Sequence, residues 1–147
     1  MDELPETGQI IHATTVCVEG RALVILGSSG SGKSSLALQL MAYGAMLVAD
    51  DRTQLVSGPS GLLATCPSAI KGMVEARGIG ILKVPFVEDV PVHLAVDLEQ
   101  TAFERLPQDS NIELLGHSVP CLHKSDSPHF AAALLLSLKN VQPKRND

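Results

Sequence analysis

A glycine-rich segment from Gly27 to Ser34 has the residue types and spacing of a phosphate-binding loop. It has the pattern G-x-x-x-x-G-K-S, follows an apolar, β-branched run at 23–26 and precedes a helical pattern at 35–41. Glycine lets backbone N–H groups converge on phosphate oxygens, and a helix N-terminus adds further donors. A glycine-rich turn that binds nothing is the alternative, but the complete flanking context favours the loop. The sequence therefore predicts that the chain binds a nucleoside triphosphate.

Two residues of this loop have side chains suited to phosphate and metal chemistry. Lys33 can reach the β- and γ-phosphates, and the Ser34 hydroxyl can join the shell of a Mg²⁺ ion. The predicted nucleotide-binding residues are Gly27, Ser28, Ser29, Gly30, Ser31, Gly32, Lys33 and Ser34.

A pair of adjacent carboxylates, Asp50 and Asp51, ends the apolar run that follows the helix. A right-handed crossover would bring this strand end close to the loop. Adjacent side chains of an extended chain point to opposite sides, so one carboxylate can serve Mg²⁺ while the other faces an incoming hydroxyl. A solvated turn is the alternative, and the nearby loop favours the catalytic interpretation.

Glu75 and Arg77 precede a Gly-x-Gly segment and form a third candidate group. Glu75 can provide a second contact to Mg²⁺, while Arg77 can meet a phosphate or hold Glu75 in place. A surface ion pair is the ordinary alternative. The two glycines, Gly78 and Gly80, indicate a close approach of backbone.

The elements that position these residues form a mixed α/β pattern with few helices. Residues 10–18 are β-rich, and Glu19-Gly20 predicts a hairpin into the strand before the loop. Further strands are predicted at 46–49, 52–56, 62–65, 92–98, 112–115 and 119–122, with residues 1–8 as a loose terminus. Asp126, Ser127 and Pro128 indicate the start of a last helix that runs to about Lys139.

Size and composition exclude several classes of protein. The 147 residues predict one domain, 1–147. With 3% aromatic residues and a net charge of -5, the chain has neither the stacking side chains nor the basic face of a nucleic-acid-binding protein. No signal peptide or membrane-spanning run is present, and the three separated cysteines are expected to be reduced and mostly buried, as in a cytoplasmic protein.

Taken together, these motifs resemble the catalytic domain of bacterial HPr kinase/phosphorylase. The resemblance covers about residues 12–105 and rests on the order and spacing of the segments 27–34, 47–52 and 74–81. It implies an ATP-dependent kinase that phosphorylates a serine of HPr, a phosphocarrier of the sugar phosphotransferase system. It also implies a fold similar to the nucleotide-binding core of phosphoenolpyruvate carboxykinase, and a homo-oligomer, since the family forms hexamers.

The resemblance further implies roles for individual residues. His12 matches an active-site histidine of the family, although from the residues alone it would be an ordinary surface or core histidine. Lys33 matches the loop lysine, and Asp51 matches the base that acts on the protein serine. Ser34 and Glu75 match Mg²⁺ ligands, with Asp50 as a supporting carboxylate near the metal, and Arg105 matches an active-site arginine.

The chain departs from the family pattern in three places. The loop begins only 27 residues into the chain, which leaves no room before it for the family's separate N-terminal domain. The segment 83–90 is a shortened version of a family loop. Residues 121–128 lack a clear match to the basic segment used for dephosphorylation, so the sequence favours kinase activity over phosphorylase activity. Minimal single-domain versions of this kind occur in some proteobacteria.

Two other functions remain open at this level. One is a nucleotide-sensing module that binds ATP without transferring phosphate to a protein. The other is a small-molecule kinase on the same core. Each lacks transfer to an HPr-type carrier, so an assay with that carrier separates both from the main hypothesis.

Overall fold

The computed structural model describes residues 7–101 and 110–140. Within them the chain forms eleven strands, two α-helices and one 3₁₀ turn, Ser68–Ile70. The strands in chain order are β1 Thr7–Ile11, β2 Ala13–Val18, β3 Arg21–Leu26, β4 Met46–Ala49, β5 Thr53–Gly58, β6 Gly61–Thr65, β7 Met73–Ala76, β8 Gly80–Lys83, β9 Val90–Thr101, β10 Asn111–Leu114 and β11 His117–Lys124. The helices are α1 Lys33–Ala42 and α2 Phe130–Lys139. The predicted mixed α/β class is confirmed.

Nine of the described strands form one mixed sheet with the order β1-β5-β6-β9-β3-β2-β4, to which β11 and β10 are added beside β9. β9 pairs in parallel with both β3 and β11, whereas the neighbours of β2 are antiparallel to it. Strand β2 thus lies between β3 and β4, although α1 connects those two strands directly. This order brings the carboxyl ends of β3, β4 and β9 to the same edge of the sheet.

Both faces of the central strands are buried, which explains their nearly continuous apolar sequences. Along β3, Leu23 and Ile25 face α1 and α2, while Ala22 and Val24 face a second core that β5, β6 and β11 cover. Burial of each leucine or isoleucine contributes about 1.5 to 3 kcal/mol. In α1 the buried positions Lys33, Leu36, Ala37 and Leu40 follow helical spacing.

Several predicted boundaries differ from the structure. The β-rich stretch 10–18 is two strands, with His12 at the bend between them, and β1 begins at Thr7, inside the stretch predicted as a loose terminus. Helix α2 begins at Phe130 rather than near Asp126, because Ser127 instead accepts a hydrogen bond from the His129 N–H and starts a turn before the helix.

Within the described chain, neither Gly78 nor Gly80 makes the close backbone approach that the sequence predicts. A Cβ at either position would meet no atom of the described chain within 4 Å. Both have positive φ, 85° for Gly78 in the turn that joins β7 to β8 and 138° for Gly80 at the start of β8. Their role is to allow this turn.

Neither helix in the described part of the chain is long and apolar enough to cross a membrane.

Candidate active site

The loop Gly27–Ser34 links the end of β3 to the start of α1, as the sequence predicts. Gly27 is favoured by its positive φ of 156° and by tight packing, because a Cβ there would lie 3.1 Å from Ser31 Cβ and 3.3 Å from Leu98 Cβ. Gly32 is the N-cap of α1 in a left-handed conformation, φ 103°, and provides no side-chain cap. The first turn of α1 also carries no acidic residue, so the positive end of the helix dipole is left for a bound anion.

Lys33 is buried and folds back onto the loop. Its Nζ donates to Gly27 O at 2.9 Å and to Ser28 O at 3.1 Å, and its side chain is only 6% exposed. Two backbone carbonyls therefore hold a positive charge at the base of the loop. Because a lysine side chain is long and flexible, it can exchange these carbonyls for phosphate oxygens without movement of the loop.

A cavity of about 340 Å³ brings the three predicted groups together. Its lining combines loop residues, the aspartate pair, Glu75 of β7 and Arg77 of the turn after β7. The lining residues are Ser29, Gly30, Gly32, Lys33, Ser34, Ser35, Asp50, Asp51, Glu75 and Arg77. Ser35 is the one member of this set that the sequence did not single out.

Asp50 is nearly buried and accepts three hydrogen bonds. Its Oδ1 receives the hydroxyl protons of Ser34 at 2.6 Å and Thr14 at 3.1 Å, and its Oδ2 receives the backbone N–H of Glu75 at 3.0 Å. These contacts join β2, the start of α1 and β7 through one carboxylate. They also direct the proton of Ser34 toward Asp50, which leaves the lone pairs of the Ser34 oxygen available to a cation.

Asp51 has an exposed side chain on a tight turn. The Arg52 N–H donates to Asp50 O at 2.7 Å, and Asp51 has a φ of 69°. A non-glycine residue in this conformation costs about 1 to 3 kcal/mol, and such residues are enriched at functional sites. The turn places Asp51 Oδ1 at 3.5 Å from His12 Nδ1, with both side chains more than half exposed.

The ion pair between Arg77 and Glu75, one of the two alternatives for Arg77, is not formed in the described part of the chain. Both residues line the cavity. Arg105, the remaining catalytic candidate, lies outside the described residues.

Two residues at the site were missed by sequence reasoning. Glu99, at the end of β9, accepts hydrogen bonds from the Ser28 N–H at 2.9 Å and the Ser28 hydroxyl at 2.7 Å. These two bonds, with a smaller contribution from the Lys33 charge, lower the pKa of Glu99 below its ordinary value. Thr14 is fully buried on β2 and bonds to Asp50. The sequence features that could have pointed to them are an acidic residue near the end of a strand, for Glu99, and a threonine within an apolar strand, for Thr14.

The donor set fits a magnesium ion held largely by a bound nucleotide. Ser34 and Glu75 offer oxygen ligands at the cavity, and Asp50 supports Ser34. In the described part of the chain, no cluster of three or more His, Cys, Asp or Glu residues forms an all-protein metal site. Mg²⁺ ordinarily takes one or two protein oxygens together with phosphates and water, so this sparse set is suitable.

Comparisons with known proteins find similarity to one family. The family model described as HPr Serine kinase C-terminal domain matches residues 4–124. An HPr kinase/phosphorylase of Caldicellulosiruptor bescii is 38% identical over 124 residues, which cover 76% of this chain and 40% of that protein. One of Bordetella pertussis is 35% identical over 119 residues, which cover 72% of this chain and 39% of that protein. The chain thus spans about 40% of the length of these relatives.

A solved structure shows the same fold. The Hpr(Ser) kinase/phosphatase of Coxiella burnetii superposes with a TM-score of 0.79 and 26% sequence identity. The superposition covers 90% of this chain and 89% of that one.

Proposed function

Because the chain belongs to the HPr Serine kinase C-terminal domain family, we propose that it is an ATP- and Mg²⁺-dependent kinase acting on a serine of an HPr-type phosphocarrier. The observation that carries this proposal is the cavity in which loop, carboxylates and arginine meet, with His12 beside Asp51. The curated relatives are named for phosphorylation of HPr. The proposal extends that activity to a chain that covers less than half of their length.

The loop Gly27–Ser34 binds the nucleotide, on a core of the phosphoenolpyruvate carboxykinase type. Backbone N–H groups of the loop and of the first turn of α1 receive the phosphates. Lys33 leaves the Gly27 and Ser28 carbonyls and pairs with the β- and γ-phosphates. Arg77, which also lines the cavity, contacts a phosphate oxygen.

Mg²⁺ is held by Ser34 and Glu75, with Asp50 as a supporting carboxylate that orients the Ser34 hydroxyl. An Mg²⁺ ion held by these residues would supply neutralisation of the charge on the phosphate oxygens. The chain itself holds the ligands of the ion in place. Asp50 accepts hydrogen bonds from the Ser34 hydroxyl and from the backbone N–H of Glu75, the second ligand.

Asp51 accepts the proton of the incoming serine, while His12 and Arg105 stabilise charge near the transferred group. Asp51 suits this role because it is exposed toward an approaching protein, whereas Asp50 is occupied by three donors. Transfer of this kind depends mainly on positioning and electrostatic stabilisation. We propose kinase activity in preference to phosphorylase activity, and a homo-oligomeric assembly by analogy with the family.

The direct test is incubation of the purified protein with Mg-ATP and a purified HPr-type carrier, followed by intact mass spectrometry of the carrier. The expected result is a gain of one phosphate that is lost when the carrier's serine is replaced by alanine. ATP binding without any gain would instead support a nucleotide-sensing module. Labelled phosphate in a metabolite, with no carrier present, would support a small-molecule kinase.

The Asp51→Asn variant tests the proposed base. Loss of a general base lowers a rate by about 10²- to 10⁴-fold, so the transfer rate should fall by that factor while nucleotide affinity changes little. Glu19→Gln is a suitable control, since it removes one negative charge from an exposed residue at the hairpin turn on the opposite end of β2. Normal transfer by Asp51→Asn would show that the assignment of the base is wrong.

A further inference from the structure

The hydroxyl of Thr14 connects the two aspartates of the site. Thr14 is fully buried on β2, and its Oγ1 donates to Asp50 Oδ1 at 3.1 Å. The same oxygen accepts the backbone N–H of Asp51 at 3.0 Å. Since a hydroxyl has a single proton, these two bonds fix its orientation: the proton goes to Asp50 and a lone pair faces Asp51.

Both bonds act on features that the proposed chemistry needs. The bond to Asp50 helps to hold the carboxylate that orients Ser34. The bond to the Asp51 N–H anchors the positive-φ turn that presents the Asp51 carboxylate beside His12. A backbone in this conformation persists only when its surroundings hold it there, and Thr14 is part of those surroundings.

The geometry points to Thr14 as a positioning residue that sets the two carboxylates for their different roles. It fastens Asp50 in the buried network and holds Asp51 outward toward the substrate serine. This inference rests on the proposed function, in which Asp51 is the base. Thr14 itself touches neither nucleotide nor serine and acts through the aspartates.

The neighbouring residue Thr15 offers a matched control. It is equally buried on the same strand, but its hydroxyl contacts Thr53 Oγ1 at 2.9 Å. Thr53 gives its own proton to Ala13 O at 2.9 Å, so Thr15 is the donor in that pair. Thr15→Val therefore removes a buried hydroxyl of the same strand without changing a contact to either aspartate.

The kinetic test compares Thr14→Val, Thr14→Ser and Thr15→Val in phosphate transfer to the purified HPr-type carrier. Displacement of a reacting group by about 1 Å can lower a rate by about 10²-fold. Thr14→Val should therefore lose about 10- to 100-fold in kcat, with the KM for the carrier and the Kd of a fluorescent ATP analogue nearly unchanged. Thr14→Ser, which keeps the hydroxyl, should restore kcat to within about 3-fold of the wild type.

Hydrogen exchange at the Asp51 amide, followed by NMR, tests the same inference without any substrate. Thr14→Val should speed this exchange by about 10-fold or more, and Thr15→Val should leave it unchanged. Failure of the wild type to phosphorylate the carrier would refute the proposed function, and the exchange measurement would then decide the role of Thr14. An unchanged exchange rate in Thr14→Val, full kcat in that variant, or an equal loss in Thr15→Val would overturn the inference.

Discussion

Replacing Asp50 by asparagine should weaken magnesium binding more than it weakens the fold. The side-chain NH₂ of Asn cannot face the Glu75 N–H, because two donors would then meet, so the side-chain oxygen takes that place. The NH₂ must face Ser34 and Thr14, whose hydroxyls would accept instead of donate. In the native protein the Ser34 hydroxyl donates to Asp50 at 2.6 Å. In the variant it would accept a hydrogen bond from the NH₂, which occupies a lone pair that a metal ion needs.

The size of each effect can be worked out from these contacts. In Asp50→Asn the Thr14 hydroxyl already accepts the Asp51 N–H, so its proton loses its acceptor, which costs about 1 to 2 kcal/mol of folding stability. Changes in groups that orient metal ligands typically lower metal affinity by about 10- to 100-fold. That factor corresponds to about 1.4 to 2.7 kcal/mol of binding free energy.

The assay is a titration of Mg²⁺ in the presence of a fluorescent ATP analogue, together with thermal unfolding. The variant should need about 10- to 100-fold more Mg²⁺ for tight nucleotide binding, while its affinity in EDTA should match that of the wild type. Asp50→Ala is the comparison, since it leaves the Glu75 N–H and both hydroxyls without their acceptor and should cost about 2 to 4 kcal/mol of stability. An unchanged Mg²⁺ requirement in Asp50→Asn would refute the reasoning about Ser34.

Two further predictions concern ionisable groups away from the aspartates. The lowered pKa of Glu99 means that its contribution to stability is complete above its ordinary pKa of about 4.3 and is lost as the pH falls through the lowered value. The difference in melting temperature between wild type and Glu99→Gln should therefore be constant above about pH 5 and shrink below it; a difference that grows toward acid would contradict the contact with Ser28. Burial shields all three free cysteine thiols and raises their pKa, so at pH 8 a thiol reagent should label them much more slowly in the native protein than in urea. The three thiols are those of Cys17, Cys66 and Cys121. Rapid labelling of the native protein would contradict this prediction, because it would show that at least one of these thiols is accessible.

Local sequence patterns predicted the parts of the site that depend on neighbouring residues. The loop needs Gly32, Lys33 and Ser34 at fixed spacing before a helix, and this arrangement can be recognised within a dozen residues. The hairpin at Glu19-Gly20 and the strand that ends at Asp50 are equally local. The roles of His12 and Arg105, by contrast, came from family resemblance, because a lone histidine or arginine carries no spacing signal.

Contacts between distant strands could not be predicted in the same way. Sequence patterns give the periodicity of each strand but not which strands are neighbours or in which register they pair. The insertion of β2 between β3 and β4 places Thr14 beside Asp50, 36 residues away. The parallel pairing of β9 with β3 brings Glu99 to Ser28, 71 residues away.

The sequence by itself therefore determined the chemical groups of the site: a loop for phosphates, a lysine, oxygen ligands and a pair of carboxylates. The tertiary structure decided what each carboxylate can do. Asp50 is buried among three donors, whereas Asp51 lies on a strained turn that exposes it beside His12. Adjacent residues acquire such different surroundings because the sheet brings Thr14, Ser34 and Glu75 to one of them and leaves the other in solvent.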